Sequence, residues 1–368
     1  MSQKEQHAGA IMTIDLGAIR DNYRLLCKRT GVPCAGAVKA DAYGLGVVQV
    51  APLLVEEGCR HFFVAHIDEG IALRALVPEH VEIYVLHGQP LGTDEEFVEW
   101  RLTPVLNSLQ QIEDWRKTAE RLNRVLPAVI HFDTGMSRLG MERSEVDILA
   151  ADLQLLRGID VRYLMSHLAC GERHDNPTNE MQLQAFKAIL ERFPKWPATL
   201  ANSGGIFNRS DFYFDMVRSG AALCGISPIA DASVPNPMRV VVKLQAKIIQ
   251  TRTIEQGTGV GYSQTYRAPG RRRLATISLG YADGLLRHFS NRGVAYVGDV
   301  AVPFVGIVSM DAITLDVSDV DPANLYPGAL IDIFSERQTV DKMADMAGTV
   351  AYELLTKMGY RYYRKYVD

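Results

Sequence analysis

The chain has 368 residues, 47% of them hydrophobic, with a formal charge of -4 and a pI near 6.2. That length divides more naturally into two domains than into one core, and its charge balance gives no electrostatic footprint for nucleic acid or an anionic membrane surface. Cys27, Cys34, Cys59, Cys170 and Cys224 are odd in number, scattered, and never spaced Cys-x-x-Cys, which argues against a disulfide framework and a zinc knuckle.

The opening MSQKEQHAGA is polar and lacks an apolar core, and no later run reaches the roughly 18 apolar residues of a membrane span, so a cytoplasmic protein acting on a small molecule is expected. Short apolar runs then follow at Ala35 to Lys39, His61 to Ala65, Glu82 to Leu86, Thr103 to Leu106, Ala128 to Phe132, Val161 to Ser166, Ala198 to Ala201 and Asp215 to Arg218. Between them lie segments of helical spacing, including LGVVQVAPLLVEEG, SLQQIEDWRKTAERLN and TNEMQLQAFKAILERF, the last with Thr178 or Asn179 as its cap. Strand and helix alternating in this way predict an α/β fold, a (β/α)8 barrel of the TIM type, over residues 12–231. Past GISPIADASVPNPM the texture changes. VVVKLQAKIIQTRTI, RLATISLG, VAYVG, VAVPFVGIVS, AITLDVS and ALIDIF predict a mainly β domain over residues 232–368, with a short helical pattern near Val340 to Lys357.

Reactive groups of such a barrel sit at the C-terminal ends of its strands. Polar residues at those ends are Lys39, Arg138 in HFDTGMSRLG, His167 in MSHLA, Asn202 and Ser203 in ANSGG, and Arg218 with Gly220 in VRSGA. No metal constellation and no serine with its base stands among them. A strand-end lysine beside SGG and RSGA, whose small residues let backbone N–H groups approach an anion, suggests a Schiff-base cofactor carrying a phosphate. Each residue alone has a plainer reading. Lys39 could snorkel or pair with an acid, His167 could be a satisfied core histidine, and Arg218 could pair with Asp215. Tyr262, Tyr281, Met310 and Tyr352 would each pass as core or rim. GTGVG at Gly257 to Gly261 and the basic run Arg271 to Arg273 read as ordinary loop or β sequence.

Taken in order, AVKADAYGLG, HFDTGMSRLG, MSHLA, ANSGG, VRSGA, GVGYSQTY, SLGYADG, VSMDA and TVAYELLT resemble the alanine racemases, over nearly the whole chain. The resemblance implies pyridoxal 5′-phosphate held by Lys39. It further implies interconversion of L- and D-alanine through an external aldimine by two bases, Lys39 and Tyr262, with His167 linking the tyrosine to Arg218. It gives the phosphate to Tyr43, Ser203, Tyr352 and the backbone of Gly220 and Ala221. Arg138, Met310 and Asp311 would meet the substrate carboxylate, and Tyr281 would line the approach. It also implies a homodimer with shared sites and a supply of D-alanine for peptidoglycan. One position departs from the family pattern: His131 stands where many members carry a carbamylated lysine that orients the arginine, so His131 or a bound anion is expected to set Arg138 instead. Rival readings are a racemase of serine or of broader range, a decarboxylase of the same cofactor fold, a non-catalytic pyridoxal-phosphate carrier, which lacks the β domain, and a sugar-phosphate enzyme on a plain barrel.

Overall fold

Eight short runs with little alternation, apolar on both faces, are what strands covered by helices on the outside and by one another on the inside require. In the computed structural model, which describes residues 3–368, they form parallel strands at Cys34–Ala37, His61–Val64, Glu82–Val85, Thr103–Leu106, Leu126–His131, Ile159–Met165, Ala198–Thr199 and Val217–Ser219. From the first of these to the seventh each strand pairs with its successor, and the eighth lies against the first. The circle closes where Asp215 N donates to Ala198 O and Arg218 N to Ala201 O, both at 3.0 Å. Ala35, Phe63, Tyr84, Val105, Val129, Met165 and Met216 fill the interior as one buried cluster, with the Phe63 and Tyr84 rings stacked 4.7 Å apart. This is the expected barrel.

Helices follow their caps. Leu109–Leu122 starts where Ser108 Oγ accepts from Gln111 N at 3.2 Å, buries Ile112, Trp115 and Ala119 at spacings of 3 and 4, and ends on left-handed Asn123. The helix Pro177–Leu190 is capped not by Thr178 or Asn179 but by Asn176, whose Oδ1 accepts from Thr178 N at 2.9 Å. Pro177, lacking an N–H and preset in φ, takes the first helical position and so puts the cap at Asn176, two residues before Thr178.

Two compact units result: Ile19–Leu223 with Ser227–Met238, which contains the barrel, and Met1–Ala18 with Cys224–Ile226 and Arg239–Asp368, which is mainly β. The partition differs from the expected one at both seams. Ala10–Asp15 belongs to the β unit, where it pairs antiparallel with Val242–Ile254 and parallel with Tyr363–Val367. Residues 227–238 stay with the barrel unit. The β unit is built around the 13-residue strand Val242–Ile254, which also pairs with Arg272–Ile277 and Leu330–Phe334. Its helices are Val340–Ala347 and Ala351–Lys357. Among the described residues no helix is long and apolar enough to cross a membrane.

Candidate active site

Lys39 stands just past the first barrel strand, whose end is tied to the second by Val38 N donating to Phe63 O at 3.0 Å. The side chain is partly buried, and its ammonium has no hydrogen bond or salt bridge among the described residues, which removes the ion-pair reading of this lysine. Burial pulls the amine below its ordinary pKa, Arg138 adds to the fall, and Glu69 opposes it.

The chain then does something sequence patterning does not suggest. Ala40, Asp41, Ala42 and Tyr43 have φ of 53, 55, 53 and 58°, a left-handed turn without a glycine. Each such residue costs roughly 1–2 kcal/mol, so the turn needs outside support. Ala42 N donates to Val38 O at 2.9 Å, Gly44 N to Ala40 O at 2.8 Å, and Gly46 N to Asp41 O at 2.9 Å. Asp41 Oδ1 accepts from Val47 N at 2.7 Å, and Glu69 Oε1 accepts from Ala40 N at 2.6 Å.

Tyr43, at the end of that turn, reaches Gly220. A Cβ on Gly220 would come 2.8 Å from Tyr43 Cζ, so only glycine lets the ring lie there. Ser203 Oγ is buried beside them and accepts from Gly220 N at 3.1 Å and Ala222 N at 3.2 Å. Tyr43, Ser203, Gly220 and Ala221 thus fall in one small region, and Ala222 joins them as a donor the sequence reading did not name.

Arg218 is only 5% exposed and has no carboxylate partner among the described residues. Asp215, its plain-reading partner, instead accepts from Ala198 N at 2.7 Å. Arg218 donates to Thr199 Oγ1 at 2.6 Å, Ser166 O at 2.7 Å, Leu200 O at 3.2 Å and His167 Nδ1 at 3.2 Å. Since a guanidinium can only donate, His167 Nδ1 accepts and the imidazole proton sits on Nε2. Burial, and after it Arg218, hold His167 well below the usual histidine pKa, so the ring stays neutral. Burial also draws Arg218 down to about 9, which leaves it charged at neutral pH.

Arg138 is exposed at the end of the loop 133–138, which Asp133 organises. Burial works against the Asp133 charge, but the N–H groups of Gly135, Ser137 and Met136 outweigh it and hold its pKa low. His131, at the base of this loop, is bonded not to Arg138 but to Asn107: its Nδ1 meets Asn107 Oδ1 at 2.7 Å. Burial, then Arg218, lowers its pKa to about 3. His131 is therefore a neutral ring tied to Asn107 rather than a direct partner of Arg138. Together with Phe132, Met136, Leu139 and Ser166, these groups and His167 line a small cavity.

Tyr262, Tyr281, Met310, Asp311 and Tyr352 all belong to the β unit. Tyr262 is 69% exposed in the turn Tyr262–Gln264, and Tyr281, Met310 and Tyr352 are also exposed. Tyr281 N donates to Ser309 O at 3.0 Å, which sets the Tyr281 and Met310 segments side by side. Arg361 Nη1 pairs with Asp311 Oδ1 at 2.7 Å.

The family model described as the N-terminal domain of alanine racemase matches residues 14–228, and that of its C-terminal domain matches residues 241–366. The chain belongs to the alanine racemase family. A relative from Mesorhizobium japonicum named "Alanine racemase, catabolic" is 50% identical over 364 residues, covering 99% of this chain and 94% of that one. The alanine racemase of Brucella ovis is 44% identical over 377 residues, covering 99% and 95%. Among solved structures, alanine racemase from Bartonella henselae with covalently bound pyridoxal phosphate has a TM-score of 0.94 at 41% identity, covering 98% of this chain and all of that one (100%). Within this family frame, Glu69, Asn107 and the pair His66–His87, whose rings meet edge-on at 4.5 Å, are mouth residues that sequence reasoning missed. Both histidines lie two residues past the end of a barrel strand, which is the signal that could have found them.

Proposed function

We propose that this chain racemises alanine with pyridoxal 5′-phosphate, using Lys39 and Tyr262 as bases on opposite sides of the substrate Cα. The observation that carries the reading is Lys39: a partly buried strand-end lysine without an ion-pair partner among the described residues, its amine made easier to deprotonate by burial and by Arg138. The surrounding groups fit the cofactor. Ser203, Tyr43 and the close-approach glycine Gly220 make a pocket of donors suited to a phosphate, and Arg218 supplies a buried cation with no acid paired to it among the described residues.

When bound, pyridoxal phosphate supplies an electron-withdrawing ring that makes the Cα proton of an attached amino acid acidic. Lys39 would hold its aldehyde carbon; Tyr43, Ser203, Tyr352 and the backbone of Gly220 and Ala221 would hold its phosphate. Displaced by the substrate amine, Lys39 Nζ takes or returns the Cα proton on its own side. Tyr262 of the partner subunit does so on the other, its phenolate favoured by the Nε2–H of His167, which Arg218 orients from Nδ1. Arg218 keeps its protons, so the cofactor ring held beside it would stay unprotonated and withdraw electrons more weakly, which would favour return of the proton over side reactions. Arg138, Met310 and Asp311 meet the substrate carboxylate, Tyr281 lines the approach, and Met310 with Tyr352 limits side-chain size.

The dimer follows from the same reading, because the exposed Tyr262 needs a barrel mouth to serve. Enantiomers are equally stable, so one site can supply D-alanine for peptidoglycan or return it to the L form. The word "catabolic" in the names of the Mesorhizobium japonicum and Agrobacterium fabrum relatives supports adding the second use to the first. The test is chiral product analysis with L-alanine, L-serine and L-lysine, on wild type and Lys39→Ala with pyridoxal phosphate supplied. Alanine should turn over fastest and Lys39→Ala should be inactive. Serine outpacing alanine would favour the broader-range racemase.

A further inference from the structure

We propose that Glu69 is a positioning residue whose carboxylate holds the left-handed turn Ala40–Tyr43 and thereby sets Lys39 and Tyr43 together. The inference rests on the reading of Lys39 as the cofactor lysine. Glu69 sits on the helix Ile67–Arg74, which follows the second barrel strand, and so offers a rigid mount. Its Oε1 accepts from Ala40 N at 2.6 Å, while Oε2 accepts from Ala65 N at 2.7 Å and His66 N at 3.2 Å. One carboxylate thus ties the ends of the first two barrel strands across the mouth.

The residue type matters. An ionised carboxylate is acceptor-only on both oxygens, so it can satisfy donors on both sides; an amide would set an N–H against an N–H on one of them. The bond to Ala40 falls on the first of four residues in a conformation that a Cβ disfavours, so it acts where the turn leaves Lys39. Without it, right-handed alternatives for Ala40 gain weight and the spacing of Lys39 from Tyr43 loosens. A glutamate at the third helical position could be no more than a helix cap, and the same unit contains the comparison. Glu145 accepts from Glu142 N at 3.3 Å and Leu109 N at 2.9 Å, joining a helix start to a neighbouring segment just as Glu69 does, but without a left-handed turn in its grip.

The experiment uses full-length protein stripped of cofactor and titrated with pyridoxal phosphate, following the visible absorbance of the cofactor joined to Lys39, alongside the thermal midpoint. Losing one charge-assisted hydrogen bond at Ala40 should raise the apparent Kd of Glu69→Gln about tenfold or more. Glu145→Gln should lower the thermal midpoint comparably and leave that Kd unchanged. Adding Ala40→Gly to Glu69→Gln should recover part of the loss, because glycine adopts the left-handed conformation without the Cβ penalty. The proposal is overturned if Glu69→Gln and Glu145→Gln affect the Kd alike, if Glu69→Gln leaves it unchanged, or if the double variant is no better than Glu69→Gln. The readout needs no turnover. A wild type that binds cofactor but racemises nothing would sink the proposed function and leave this test intact.

Discussion

His131 makes the protein's acid sensitivity calculable. Its folded-state pKa is about 3 because the ring is buried and the charges of Arg218 and, less strongly, Arg138 act on it, with Asp133 opposing. In the unfolded chain it titrates near 6.5. The folded value is depressed, so the stability it allows is fully present above about pH 6.5 and is lost as pH falls toward 3. Each pH unit in that window costs about 1.4 kcal/mol, so between pH 6.5 and 5 the loss is about 2 kcal/mol. His131→Asn is the clean perturbation. Its amide nitrogen can take the place of Nδ1 against Asn107 Oδ1, and it cannot be protonated. The smaller side chain lowers stability at every pH, but that offset does not vary with pH. Thermal midpoints at pH 7, 6 and 5 should therefore converge, with wild type falling roughly 4–8 °C further than the variant by pH 5. The other histidines are common to both proteins, so the difference between the two curves reports His131 together with its effect on His167. Parallel curves would refute the reasoning, and would mean that His131 is already charged or is exposed to water in the folded state.

Other consequences are as direct. Gly220→Ala drives a methyl group into Tyr43 and should weaken pyridoxal phosphate binding by about tenfold, read by absorbance titration; unchanged affinity would remove Tyr43 from the phosphate pocket. Arg218→Gln removes the cation that is the second cause of the low His167 pKa, so His167 should titrate closer to the ordinary range in an NMR pH series while racemisation falls steeply. A His167 that stays neutral into acid would show that burial and the charges left around it suffice without Arg218. Mixing Lys39→Ala subunits with Tyr262→Phe subunits should restore up to about a quarter of wild-type activity, since half the dimers are mixed and each of those has one intact site. No recovery after demonstrated subunit exchange would contradict shared sites. Asn176→Ala should cost about 0.5–2 kcal/mol, measured by chemical denaturation, through loss of the cap on Pro177–Leu190.

The barrel was legible because each strand is a local apolar run, and parallel pairing with a neighbour asks nothing of distant sequence. Ala10–Asp15 and Tyr363–Val367 were not, because the first takes its meaning from Val242–Ile254, more than two hundred residues away, and the second from Ala10–Asp15 at the other end of the chain. Lys39, His167, Ser203 and Arg218 could be placed on one rim simply because each follows a predicted strand. Glu69 and Asn107 could not be assigned to it, since both act by reaching backbone or ring atoms that only the folded turn presents. The turn itself hides in ADAY, four residues with no glycine among them, and only Gly44 and Gly46 mark its exit. His131 was correctly singled out as a departure, but its partner was not foreseeable: the ring could face Arg138 or the barrel wall, and the buried amide of Asn107 decides for the wall.

The central claim is two bases on opposite sides of Cα, and proton exchange in deuterium oxide tests it most directly. Wild type and Tyr262→Phe, each loaded with pyridoxal phosphate, are given L-alanine and D-alanine separately, and deuterium at Cα and product chirality are followed together. The account predicts that wild type labels and interconverts both enantiomers, whereas Tyr262→Phe racemises poorly and labels one enantiomer much faster than the other, because only Lys39 remains. Equal labelling and undiminished racemisation in Tyr262→Phe would contradict it, and would leave a single base carrying both sides.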